Sequence, residues 1–152
     1  GSSDTGALIA AYLFDDVPVH LTDRHTPSAK RIEPIWTRPV ASDLRFGGAK
    51  PAYVLIDKET FSAAEDFAYA LQALKRVTVV GERSKGGANG GRGFRLAERF
   101  VVSIPNRTTV NPITRTNWQG TGVKPDVAVP SGDALAIAQA LATKAIGAVA
   151  KK

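Results

Sequence analysis

The order of apolar runs along the chain predicts an α/β domain. Three observations carry this. The 152 residues suit one domain of ordinary size, able to bury roughly 70 % of the surface exposed when unfolded. Tyr53 to Val80 reads strand, helix, strand, the unit that joins parallel strands. Further extended and helical segments flank that unit without an internal repeat or a linker, so one mixed sheet with packed helices is expected.

The elements follow from local chemistry. Asp4 can cap a helix running to Leu13, because Leu8, Ile9, Tyr12 and Leu13 recur at the spacing of a buried stripe. Pro18 to Thr22 and Arg31 to Thr37 are rich in β-branched and aromatic residues, and Thr26-Pro27-Ser28 between them supplies a turn, which predicts a hairpin. Ala41 to Pro51 reads as loop. Tyr53-Val54-Leu55-Ile56 is a short apolar run of the kind covered on both faces of a sheet. A helix is predicted over Ser62 to Leu74, with Phe67, Ala70, Leu71 and Leu74 on one face, and a buried strand over Val77 to Val80. Gly81 to Gly93 holds six glycines and reads as a loop of tight turns. Phe94 to Leu96 and Phe100 to Ile104 straddle a polar turn, predicting a second hairpin. Val123 to Val129 is placed as an edge strand with Pro125 near its start, and Asp133 to Val149 as an alanine-rich helix containing Gly147.

Composition narrows the function classes. Apolar residues make up 43 % and charged residues 22 %, which favours neither disorder nor a fibre, and no apolar run approaches the ~20 residues of a membrane span. The chain has no cysteine, which excludes disulfides, thiolate metal sites and a cysteine nucleophile. It has no methionine either, so it is expected to be a processed or excised piece of something longer. The net charge of +6 suits an acidic partner, and five basic residues lie between Arg83 and Arg99. These are scattered among glycines without an aromatic stacking platform, so no nucleic-acid partner is expected.

Ser62 is the first candidate for chemistry. It follows a buried strand at the first turn of a helix, where unpaired amides and the helix dipole favour negative charge. A serine nucleophile there would have the Ala63 N–H beside it to hold a developing oxyanion. The same Ser62-Ala63-Ala64-Glu65 is also a capping box, which satisfies only the helix's own donors. Gly81 to Gly87 begins like a phosphate-binding loop, but Gly87 stands where its lysine belongs. His20 and His25 fall in the first hairpin, read as solvated strand or turn residues. No set has metal-ligand spacing, so no metal is expected. Asn106-Arg107-Thr108 matches a glycosylation acceptor, meaningful only on a secretory route.

Several stretches together resemble the tail-specific protease family. They are Thr60 to Tyr69, Leu74-Lys75-Arg76 through Val79-Val80-Gly81-Glu82, Gly86-Gly87-Ala88, Asn111-Pro112-Ile113-Thr114, and Asn117-Trp118-Gln119-Gly120-Thr121-Gly122-Val123-Lys124-Pro125-Asp126. The branch that includes interphotoreceptor retinoid-binding protein is the most similar one. The resemblance implies a ClpP- and crotonase-like spiral of mixed sheet and packed helices, of which residues 1–152 would be the C-terminal part of the catalytic domain, with its upstream portion missing. It implies that Ser62 is the nucleophile and that Ala63 and Gly1 are the oxyanion donors. It implies that no metal or cofactor is needed and that the substrate is a peptide or protein, in a bacterial periplasmic or secreted setting. Dyad relatives carry a lysine at the position that is Gly87 here, with Lys85 nearby as a substitute base. Relatives with a histidine base carry a glutamate at the position of Gln119, and the retinoid-binding branch often has histidine at that of Asn89. Three readings follow: a serine peptidase acting on extended or C-terminal segments, an inactive relative binding a hydrophobic ligand such as a retinoid or fatty acid, or a peptide, in the old cleft, and a crotonase-like acyl-CoA enzyme that shares the oxyanion hole.

Overall fold

The structure, a computed structural model, describes residues 1–149. Helix α1 spans Ser3–Ala11 and is capped by Ser2, whose side chain accepts from the Thr5 amide. Asp4, expected as the cap, lies instead in the first turn, where its charge suits the positive end of the helix. The buried face is also not the predicted one. Ala7, Ala10 and Ala11 are buried, whereas Leu8 and Ile9 are 44 % and 53 % exposed. Small side chains let α1 approach α2 closely, and that tertiary demand overrides the larger apolar stripe.

Strands β1 (His20–Thr26) and β2 (Arg31–Trp36) form the first hairpin as predicted, closed by a short 3-10 turn at Pro27–Ala29. Next come β3 (Tyr53–Ile56), α2 (Ala63–Ala73) and β4 (Thr78–Gly81), with β3 and β4 parallel, so the predicted crossover is present. Among the described residues β3 is an edge strand with Leu55 42 % exposed, not a strand covered on both faces.

The second hairpin is longer than its apolar residues announce. It comprises β5 (Asn89–Ala97) and β6 (Phe100–Val110), so Asn89 to Gly93, read as loop, is strand. Backbone pairing asks nothing of a side chain, and at the Gly90/Gly91 irregularity a Cβ on Gly91 would come 2.8 Å from the Ile104 carbonyl oxygen. Strand β7 is only Val127–Ala128, parallel to β4 at the sheet edge, while Val123 belongs to the core at 0 % exposure. Helix α3 (Ala134–Val149) lays Ala134 and Ala138 against Val80.

The expected single mixed sheet is two sheets: antiparallel β2-β1-β6-β5 and parallel β3-β4-β7. The antiparallel sheet is closed by β1 against β6, with Arg24 opposite Thr109. Helices α1 and α2 pack together between the sheets, and Leu71, Val79, Val123 and Trp118 fill the main core. The loop holding Trp118 thereby lies next to the turn from β3 into α2. No helix among the described residues is long and apolar enough to cross a membrane.

Candidate active site

The turn between β3 and α2 is built by Asp57. Its Oδ1 accepts the amides of Glu59 and Thr60 at 2.9 and 2.8 Å and the Thr60 hydroxyl at 3.0 Å. The Thr60 hydroxyl, with help from the two amides, holds the Asp57 carboxyl below its ordinary pKa. This turn delivers Ser62 to the helix entrance with φ 60° and ψ −119°. A non-glycine residue in that region costs about 1–3 kcal/mol, and such strain concentrates where an exposed nucleophile is presented on a sharp strand-to-helix turn. The capping box read from the sequence is present. Glu65 Oε2 accepts the Ser62 N–H at 2.8 Å, and the Ser62 side chain faces the Glu65 backbone N–H, though too loosely for a full capping hydrogen bond.

Ser62 is exposed and opens on a cleft of about 300 Å³ lined in part by Gly1, Ala63, Asp66, Gly87, Arg107 and Trp118. The Ala63 N–H donates to no acceptor among the described residues, as befits the first turn of a helix. Gly1 abuts it: a Cβ on Gly1 would lie 3.2 Å from that of Ala63. Three of the predicted site residues, Ser62, Ala63 and Gly1, therefore share one open cleft with unpaired donor capacity.

Two other predicted residues are paired elsewhere in this structure. The Lys85 ammonium sits 3.4 Å from Glu59 Oε2 and 6.0 Å from the Phe61 ring centroid, and no hydrogen bond joins it to Ser62. With the side chains 58 % and 69 % exposed, that ion pair is a weak one. Gln119 meets no imidazole among the described residues; its Oε1 accepts the amides of Ala88 and Asn89 at 2.8 and 3.1 Å, pinning the start of β5. At Gly87 a Cβ would overlap the Phe61 ring. The volume a longer side chain would need there is filled by the residue just before Ser62. His20 stacks on Trp36 and bonds Asp23 at 2.9 Å, consistent with a strand role.

The burial of two carboxyls was not legible from spacing. Glu65 is 0 % exposed, and besides Ser62 it accepts from the Ser84 hydroxyl at 2.6 Å and the amides of Gly86 and Gly87 at 2.7 and 2.9 Å. Ser84 Oγ in turn accepts the Val123 amide at 2.7 Å. Gly122 makes that approach possible: at φ +69°, a Cβ there would overlap the Ser84 carbonyl. Asp66 is 6 % exposed on the cleft side of α2; burial raises its pKa, against hydrogen bonds from Ser3 and Thr22 and the charge of Arg24. A carboxyl four residues after the serine on the same helix face was the only available signal. Among the described residues no cluster of His, Cys, Asp or Glu is arranged to hold a metal ion.

The site thus presents an exposed serine on a strained strand-to-helix turn, beside an amide with no acceptor among the described residues. The chain matches peptidase family S41 over residues 1–129, and it belongs to that family. Among solved structures it is similar to the photosystem II D1 C-terminal processing protease, with a TM-score of 0.66 at 24 % identity over 86 % of this chain and 32 % of that one. A lipoprotein from Streptococcus agalactiae superposes with a TM-score of 0.69 at 14 % identity over 95 % and 50 %. An S41 protease from Bacteroides fragilis gives 0.70 at 19 % over 90 % and 36 %. The chain thus spans about a third to a half of the structures it matches.

Proposed function

We propose that the chain carries the nucleophile and oxyanion site of a serine peptidase that cleaves extended or C-terminal peptide segments. The observation that supports this most is the backbone of Ser62, at φ 60° in an open cleft with the Ala63 N–H unspent. In this reading Ser62 Oγ attacks the scissile carbonyl and its proton passes to a base. Ala63 and Gly1 N–H groups hold the oxyanion, each such donor commonly contributing about 3 kcal/mol in the transition state. The C–N bond then breaks, the amine leaves with the proton, and water releases the acyl-enzyme. The base is Lys85, once it leaves Glu59, or a residue outside this chain.

The finer family assignments belong to the same proposal. We take residues 1–152 as the C-terminal part of a larger catalytic domain with a ClpP- and crotonase-like spiral, since the matched structures are two to three times longer. A periplasmic or secreted setting rests on the family resemblance. A second reading, a hydrophobic-ligand binder of the retinoid-binding branch, is favoured by one observation. A groove of about 600 Å³ beside the cleft is lined in part by Ile9, Val54, Leu55, Ile56 and Phe67, with Ser2, Thr5 and Thr60 among its polar residues.

A fluorophosphonate probe on the full-length protein separates the readings. The peptidase reading expects labelling at Ser62 that is lost in Ser62→Ala and, if Lys85 is the base, falls about 10²-fold in Lys85→Met. No labelling, together with saturable binding of a fatty acid or retinoid, sinks the peptidase reading and supports the binder.

A further inference from the structure

We infer that Glu65 is the positioning residue of this site: its carboxylate enforces the strained backbone of Ser62 and fastens the Ser84 to Gly87 loop across it. The inference rests on the reading of Ser62 as nucleophile. A capping glutamate needs one bond, to the amide at the start of its own helix. Glu65 makes that bond and three more, to groups 19, 21 and 22 residues away in sequence. Its exposure is 0 %, and no lysine, arginine or histidine pairs with it among the described residues. Burying a carboxylate without a cation is tolerable only when its oxygens are filled by donors. Here both are. Oε1 takes the Ser84 hydroxyl and the Gly86 N–H, and Oε2 takes the Ser62 and Gly87 N–H groups.

Two consequences follow for the chemistry. Because the Ser62 N–H is drawn inward to Glu65, the serine cannot relax to a common backbone conformation without abandoning a buried charge. The next amide, Ala63, is then the first one left free to face the cleft. The same carboxylate ties Gly86 and Gly87 to the serine turn, so one wall of the cleft and the nucleophile move together. A glutamine cannot do this. All four partners are donors, and an amide would turn its own N–H groups towards two of them.

The test is a double-mutant cycle of Glu65→Gln and Ser62→Gly in the full-length protein, read by thermal unfolding, with fluorophosphonate labelling of the Ser62 proteins as a second readout. Glycine relieves strain only where something enforces it. The change in Tm on Ser62→Gly should therefore be more positive in the Glu65 background than in Glu65→Gln, by at least ~2 °C. Under conditions where Glu65→Gln is folded, labelling of Ser62 should slow about 10²-fold with reversible peptide binding retained. Equal Tm changes in the two backgrounds, or an unchanged labelling rate, overturns the inference and leaves Glu65 a structural residue. If the parent protein is itself not labelled, the peptidase reading fails and the unfolding cycle alone decides what Glu65 does to residue 62. Should Glu65→Gln not fold, Ser84→Ala, which removes one donor and keeps the charge, carries the same cycle.

Discussion

At the scale of single residues, position matters more than residue type. Ser62 and Ser84 are chemically alike, yet one is exposed in a strained turn and the other is buried between Glu65 and the Val123 amide. Phe61 is as informative as either. Its ring occupies the space above Gly87, and Lys85 lies over its other reaches, paired with Glu59. A lysine placed at residue 87 should therefore be inert by itself, because it must first displace the ring. We expect Gly87→Lys alone to lower stability without speeding labelling of Ser62. Phe61→Ala with Gly87→Lys should raise the labelling rate about 10²-fold, measured as a second-order rate constant for the probe. An equal rate in the single and double variants would show that the ring does not guard that space. The candidate serine was visible in the sequence because a strand followed by S-A-A-E marks a helix start. The direction of its backbone was not visible, since φ is set by what Glu65 and Asp57 grip.

At the scale of elements, side chains that tie one element to another decide where strands end. Strand β7 has two residues, and its place beside β4 is secured by Asp126. Its Oδ2 accepts the Val79 N–H and its Oδ1 accepts the Gln72 amide, each at 2.8 Å, so α2, β4 and the approach to β7 share one carboxylate. Val79 is 0 % exposed, so losing that acceptor strands a buried amide. Asp126→Ala should cost about 1–3 kcal/mol, seen as a lower denaturation midpoint with an unchanged slope. A midpoint equal to the parent's would mean that solvent satisfies the Val79 amide. The edge strand predicted over Val123 to Val129 is present but shortened to Val127–Ala128: apolar β-branched residues mark burial, and Val123 is buried in the core away from the ladder. The long β5 departs in the opposite sense, because a glycine strand has no side chains to announce it.

At the scale of the whole molecule, Asp66 joins α2 to α1 and β1 through Ser3, Thr22 and Arg24, and burial raises its pKa above the ordinary 3.8. Burial therefore favours the neutral form of this carboxyl more in the fold than in the unfolded chain. The native state binds this proton more tightly than the unfolded chain, so its contribution to stability falls as pH rises from about 3.8 through the raised value. Asp57, with a lowered pKa, acts oppositely and loses its contribution as pH falls. Asp66→Asn should therefore gain most, relative to the parent, towards neutral pH and least in acid, in unfolding measured from about pH 3 to about pH 7. A constant difference between the two proteins over that range would exclude titration of Asp66 as the cause. The pairing of β1 with β6 is a whole-molecule property of the same kind. It brings Arg24 opposite Thr109 across 85 positions, and no local pattern encodes it.

By itself the sequence determined the alternation of strands and helices, the β3-α2-β4 crossover, both hairpins and the serine at the helix entrance. Each of these is written in periodicity, turn residues and capping chemistry within a dozen or so positions. The tertiary structure alone decided that there are two sheets, that alanines form the buried face of α1, and that Lys85 and Gln119 turn to Glu59 and to the backbone of Ala88 and Asn89. It also decided that Glu65 gathers four donors from distant segments. Close packing and the need to satisfy every buried polar group act between residues far apart in sequence, which is why local pattern cannot anticipate them.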